Sequence, residues 1–131
     1  MADHCGTARS NYFRVKDKQK FIDWCKSLEL KPIYQTDKET ESELCGFLAE
    51  TEYGLLSVYR DEEDIDFFAE LSTHLADGAV GIVMEVGNEK MRYITGFAGA
   101  VNSKGKVVCV SIDDIYEKAE KLGNVITMCE D

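Results

Sequence analysis

The chain is poor in the residues that most often carry chemistry or span membranes. It has one proline, one tryptophan and two histidines in 131 residues. No run approaches the roughly 18 apolar residues of a membrane-spanning helix. The start, MADHCGTARSNYF, has no apolar h-region and does not read as a secretory signal. The expected location is therefore the cytoplasm. The five cysteines (Cys5, Cys25, Cys45, Cys109 and Cys129) are odd in number, widely spaced and free of any Cys-x-x-Cys. That spacing argues against a disulfide framework or a zinc ribbon. Cys25 and Cys109 fall in apolar patterns and read as small core residues. No P-loop, no Gly-x-Gly-x-x-Gly behind a strand, no His-Glu-x-x-His and no Gly-x-Ser-x-Gly occurs, so no cofactor is implied.

Positive charge is also scarce. The net charge is −10, and it is unevenly placed. Residues 1–36 sum to +3, residues 37–70 to −10 and residues 71–131 to −3. The middle quarter thus accounts for the whole imbalance. Such a field repels nucleic acid and anionic membrane and attracts cationic surfaces. Direct DNA or RNA binding is disfavoured, because phosphate contacts need Lys and Arg.

The length suits one domain with a sizeable core. Residues 1–11 read as a flexible tail and residues 12–131 as a single α+β domain. The expected architecture is an antiparallel sheet of about five to seven strands with three helices packed mainly on one face. Tyr12–Val15 reads as a short strand. Asp17 is a good N-cap for a helix over 18–28, with Phe21, Ile22, Cys25 and Leu28 as its apolar stripe and Trp24 on the shoulder. Pro32 forbids helix continuation, which makes 30–36 extended. Residues 37–43 form a polar turn, and 44–49 and 55–59 read as strands. Asp61–Asp64 then open a second helix, where carboxylates suit the N-terminal dipole. Its buried stripe is Ile65, Phe68, Leu71 and Leu75, and Gly78 is its stop.

The best-defined stretch is a three-stranded meander over 77–112. Gly87-Asn88 is a two-residue hairpin signal. Pairing Val86 with Glu89 puts Gly81, Val83, Gly96 and Ala98 on one small-residue face. Strand glycines of this kind mark a bulge or the close approach of a helix or ligand. The register of the third strand stays open. Asp113 caps a last helix with the stripe Ile115, Tyr116, Ala119 and Leu122, and 125–128 fits an edge strand.

Several constellations bear on function. His4-Cys5 supplies two ligands, fewer than a metal site wants. Cys45 and His74 form a conceivable nucleophile pair, but no flanking motif supports it. The run Asp61, Glu62, Glu63, Asp64 and Asp66 lacks the central glycine of a calcium loop. Glu85 with Lys90 or Arg92 reads as ordinary cross-strand charge pairing. What remains is the acidic surface: Asp37, Glu39, Glu41, Glu43, Asp61, Glu62, Glu63, Asp64, Asp66 and Glu70. It is either a solvated face or a partner-binding surface, with Phe47, Tyr53, Tyr59, Phe67 and Phe68 as candidate aromatic anchors.

SNYFRVKD at 10–17, ELSTHLADGAVGIVMEVGNEKMRYITGFA at 70–98 and DDIYEKAEKLG at 113–123 resemble small acidic proteins of bacterial phages, plasmids and integrated elements. That resemblance implies a bacterial host cell and an accessory role against host defence, as antirestriction and anti-CRISPR proteins have. The leading expectation is a non-enzymatic inhibitor or accessory factor. Its charge would imitate a nucleic acid and engage a basic nucleic-acid-handling protein, such as a host defence nuclease complex. The alternative is a small-ligand or structural module using the face around Gly81 and Gly96. A thiol- or metal-dependent enzyme ranks third. A homodimer, through a sheet edge or the 125–128 segment, is compatible with all three.

Overall fold

The computed structural model describes residues 4–51, 59–60, 63–64, 66–89, 93–124 and 127. The strand at 55–59 apart from Tyr59, the edge strand at 125–128 apart from Thr127, and Ile65 lie outside these residues. The elements run β1 (His4–Ser10), α1 (Lys18–Ser27), β2 (Lys31–Thr36), β3 (Glu43–Thr51), β4 (Tyr59–Arg60), β5 (Glu63–Asp64), α2 (Phe67–His74), β6 (Val80–Glu89), β7 (Tyr93–Asn102), β8 (Val107–Ser111) and α3 (Asp114–Ala119). Six strands form one antiparallel sheet in the order β2-β3-β1-β6-β7-β8, and β4 pairs with β5 alone. The α+β class, the strand number and the three helices agree with the sequence reading.

The first correction concerns the tail. His4–Ser10 is no tail but an interior strand, paired antiparallel with β3 on one side and β6 on the other. It escaped the sequence reading because its core-facing residues are small. Ala8 and Ser10 are buried, while Thr7 and Arg9 point to the exposed face. Large apolar side chains are unnecessary there because α1 and α2 fill the space above. Two crossovers interleave around this strand. β1 leads through α1 to β2 with β3 between them, and β3 leads through α2 to β6 with β1 between them. The sheet is therefore closed in the middle by non-local pairing that no local pattern announces.

α1 forms as its sequence predicts. The Asp17 carboxylate accepts from the Lys20 amide, and Phe21, Trp24 and Cys25 are buried. α2 starts later than predicted. Glu63 and Asp64 pair with Tyr59 and Arg60, and Asp66 is the cap, accepting from the Ala69 amide. The acidic run is thus strand and approach, not helix. Gly78 does adopt φ +83°, but in a turn beyond the helix, which ends at His74 with Leu75 as its C-cap. Leu75 instead bridges Val15 in extended conformation, and Phe13 bridges Cys45.

The meander register is the second correction. Gly87 and Asn88 lie inside β6, opposite Thr95 and Ile94 of β7 and opposite Gly6 and Cys5 of β1. Ladders on both sides hold them extended, which outweighs their local turn preference. Val86 pairs with Gly96 rather than with Glu89. The consequence is a change of faces: Gly81 sits with Val83 and Val101 toward the core, whereas Gly96 and Ala98 sit with Val86 and Met84 on the other side. β8 pairs with β7 through Gly99↔Cys109, which settles the third strand.

The core lies between the sheet and the two longer helices. Trp24 of α1 packs against Phe47 of β3 and Phe67 of α2, with ring centroids 6.2 and 5.4 Å apart. Phe68 and Leu71 of α2 reach Gly99 and Gly81. α3 departs from prediction: none of its residues is buried, and Ile115 and Leu122 are exposed.

Candidate interaction surface

The acidic segment begins at the β2–β3 turn, and the structure shows how that turn is held. The Asp37 amide donates to Ser42 O and the Glu41 amide to Asp37 O. Arg14, from the link after β1, donates to Asp37 Oδ2 at 3.0 Å, to Thr40 Oγ1 at 3.1 Å and to Ser42 Oγ at 3.3 Å. The Asp37 carboxyl is held below the usual carboxylate range, chiefly by the Glu39 amide and the Thr40 hydroxyl, with Arg14 assisting and burial opposing. Glu41 adopts φ +57°, the left-handed conformation that a tight turn requires. Glu39 and Glu41 are exposed, and their carboxylates make no hydrogen bond or ion pair with a described residue. The turn is thus a braced tip with two outward carboxylates.

The other predicted partner-binding residues are dispersed in role. Glu43 forms an ion pair with Lys18, which raises the lysine's affinity for its proton. Asp66 is spent on capping α2. Glu70 accepts from Trp24 Nε1 at 2.9 Å and so ties α2 to α1. Glu63 and Asp64 lie in the β4–β5 ladder. Asp61 and Glu62 lie outside the described residues. Of the proposed aromatic anchors, Phe47, Phe67 and Phe68 are buried in the core and cannot serve a partner. Sequence alone could not separate carboxylates that perform local structural tasks from those that face outward.

Arg14 and Asp37 also line a cleft of about 310 Å³, bounded across from them by Asp77 and Gly78. The guanidinium is already engaged by Asp37, Thr40 and Ser42. The cleft therefore presents no free cation, and Asp37 and Asp77 are the carboxylates of its lining.

The thiol–histidine reading meets an unfavourable setting. Cys45 is buried, and burial pushes its thiol above the ordinary value, away from the nucleophilic thiolate. Cys25 is pushed up to about 12 by burial, with Cys45 adding. His74 stacks on Trp24 with centroids 5.1 Å apart and lies 6.2 Å from Phe21. Burial is the main cause that lowers its proton affinity. It behaves as a member of the aromatic cluster. Among the described residues no group of three or more His, Cys, Asp or Glu side chains is placed to hold a metal ion. Residues 4 and 5, at the start of β1, pair with Glu89 and Asn88 of β6, while Lys90 and Arg92 lie outside the described residues.

The small-residue face does not form a pocket floor. A Cβ on Gly81 would lie 3.1 Å from Leu71 Cδ2, and one on Gly99 would collide with Phe68 Cζ. The chain's own helix fills that space. Gly96, on the opposite face, is covered by Ile112.

Among the described residues, the sheet face away from α1 and α2 is open over much of β6–β8, apart from Ile112 at Gly96; helices packed mainly on one face leave the other face in this state. Val80, Ile82, Met84, Val86, Val108 and Val110 are all exposed there. The signal was present in the even-numbered alternation of β6, once the helices are counted: two helices, of ten and eight residues, cannot cover both sides of six strands.

Among the described residues no helix is long and apolar enough to cross a membrane. No protein-family model, no curated protein and no solved structure matches the chain.

Proposed function

We propose that this chain is a non-enzymatic, protein-binding inhibitor or accessory factor of a bacterial mobile element, and that it engages a basic nucleic-acid-handling protein of the host. The observation that carries the proposal is the braced β2–β3 tip. Arg14 ties together the Asp37, Thr40 and Ser42 side chains over a turn closed by its own backbone bonds, so that Glu39 and Glu41 project from a pre-ordered turn in the most acidic part of the chain. Pre-ordering matters because a flexible acidic loop loses conformational entropy on binding, whereas a fixed one does not. Carboxylates at the rim of an interface steer encounter with a cationic groove and make association fall with salt.

The burial of Phe47, Phe67 and Phe68 narrows the mode of binding. Near this end of the molecule Tyr34 of β2 stays exposed, with Lys18 over its ring, so recognition would rest on electrostatics with Tyr34 as the one exposed aromatic beside the tip among the described residues. The reading as a small-ligand module loses its main support with the filling of the space over Gly81.

The test is a pull-down with the tagged protein from a bacterial host lysate, at low and then raised salt, with duplex DNA as competitor. The expected partner is basic, is released by salt and is displaced by DNA. Glu39→Lys with Glu41→Lys is expected to abolish capture while leaving thermal stability unchanged. Capture that resists salt and DNA, or that survives the double charge reversal, would refute the proposal. Glu39 and Glu41 suit this purpose better than Asp66 or Glu70, whose replacement would disturb α2.

A further inference from the structure

The two edges of the six-stranded sheet are built differently. β2, at one edge, contains Lys31 and Pro32, residues that discourage pairing with another strand. β8, at the other edge, reads Val107-Val108-Cys109-Val110-Ser111, with neither proline nor charge. It is exposed on both faces: Val107 keeps 40%, Val108 63% and Val110 62% of its surface, and Cys109 is exposed as well.

The hydrogen bonds at its ends set the phase of the strand. Asn102 N–H donates to Lys106 O, and Ile112 N–H donates to Gly96 O. In an antiparallel ladder the residues that exchange hydrogen bonds alternate with those that do not. Even-numbered residues of β8 therefore turn their backbone groups toward β7, and Val107, Cys109 and Ser111 turn theirs outward. The Ser111 amide donates to Asp114 Oδ2. The outward amides of Val107 and Cys109 have no hydrogen-bond partner among the described residues.

The charges around the strand favour one occupant. Lys104 and Lys106 precede β8, and Asp113 and Asp114 follow it. A second β8 running antiparallel, with Cys109 opposite itself, brings the basic end of each strand, with Lys104 and Lys106, toward the acidic end of the other, with Asp113 and Asp114. A parallel arrangement would bring like charges together instead. The same antiparallel register sets Val108 opposite the other copy's Val110, an apolar cross-strand pair. No like charges meet within the strands, which matters for a chain of net charge −10.

We infer that two copies of this chain associate about a two-fold axis through Cys109, by antiparallel pairing of their β8 edges. The contact is isologous: each outward Cys109 amide donates to the carbonyl of its counterpart, and each Val107 amide donates to the other copy's Ser111 carbonyl.

Sedimentation velocity over a concentration series provides the first measurement. The expected result is a shift from the monomer mass of 14.7 kDa to twice that value. Cys109→Pro removes the outward donor while sparing the bonds to β7, and is expected to give a folded monomer. If that variant does not fold, Lys104→Glu with Lys106→Glu serves in its place, with an expected rise in the dimer dissociation constant of roughly tenfold. The register is read by cross-linking with a short bis-maleimide in a Cys5→Ser, Cys129→Ser background. A thiol at 109 is expected to yield a covalent dimer, and a thiol moved to 103 by Cys109→Ser with Ser103→Cys is not. A monomer at every concentration refutes the inference. So does a dimer that survives Cys109→Pro and is lost on Met84→Lys, which would mean that sheet faces pack together. A dimer that appears only after residues 125–131 are deleted also refutes it, since the chain's own end would then occupy the edge.

Discussion

Two glycines in the sheet make nearly equal contacts with very different neighbours, and they test what decides the effect of an added methyl group. A Cβ on Gly46 would lie 2.6 Å from Asn11 O and 2.9 Å from Ser10 Oγ. A Cβ on Gly96 would lie 2.7 Å from Ile112 Cγ2. Neither glycine has positive φ, so backbone strain does not distinguish them. The difference lies in what can move. Asn11 is pinned: its amide donates to Ile82 O, its side chain bonds Val80 O and the Ile82 amide, and its carbonyl receives the Ser10 hydroxyl. Ser10 Oγ is pinned as well, since it accepts from the buried Phe47 amide at 2.9 Å. Ile112 is about half exposed and can turn toward solvent.

For Gly46→Ala, overpacking contributes roughly 1–3 kcal/mol. Displacing Asn11 O or Ser10 Oγ adds about 1–3 kcal/mol for a disturbed buried hydrogen bond. The higher intrinsic preference of Ala in a strand returns about 0.5–1 kcal/mol. The net loss is then roughly 3 kcal/mol, a fall in melting temperature on the order of 10 °C for a chain of this size. For Gly96→Ala the clash is relieved by rotation, and the change is expected within about 1 kcal/mol of zero. Urea denaturation of both variants against the parent, with the slope checked for constancy, measures the difference. Equal losses at the two positions would refute the reasoning, as would a Gly46→Ala protein as stable as the parent.

Three shorter predictions rest on the same core. Ser10→Ala leaves the buried Phe47 amide without its acceptor and is expected to cost about 1–3 kcal/mol by chemical denaturation. In a Cys5→Ser, Cys129→Ser background, a maleimide reagent at neutral pH is expected to label Cys109 in the native protein and to reach Cys25 and Cys45 only after denaturation. His74 has a folded proton affinity below the ordinary 6.5, so the unfolded chain binds its proton first as pH falls. Its contribution to stability is present above pH 6.5 and declines as pH drops toward the folded value. An NMR titration of the His74 ring is expected to show the lowered midpoint, and His74→Gln to flatten the stability profile in that window.

The parts of the fold legible in the sequence were those specified by short-range chemistry. Asp17 announced α1 because a side-chain cap and an apolar stripe are both local, and Pro32 announced β2 for the same reason. β1 was illegible because Ala8 and Ser10 derive their burial from residues far along the chain. Gly87-Asn88 misled because turn preference is weak beside pairing on two sides. The acidic segment was legible as a charge count but not as a site. Asp66 and Glu70 look like Glu39 and Glu41 in sequence, yet the first pair serves α2 and Trp24 while the second faces solvent. Only their hydrogen-bond partners separate them, and those partners are invisible in a charge count.

The two proposed surfaces stand at opposite edges of the sheet. The braced tip joins β2 to β3, and β8 is the far strand. Pairing two β8 edges would leave both acidic tips free and set them roughly 50 Å apart, from twelve strands at about 4.8 Å spacing. Such a dimer would engage a partner with two basic sites, or two partners, by avidity rather than by a larger single contact. Loss of dimerisation through Cys109→Pro would then weaken binding to an immobilised, densely coupled partner while leaving binding to a single partner molecule in solution unchanged. If both fell together, β8 would itself belong to the partner-binding surface, and the division between a neutral edge for self-association and an acidic edge for recognition would be wrong.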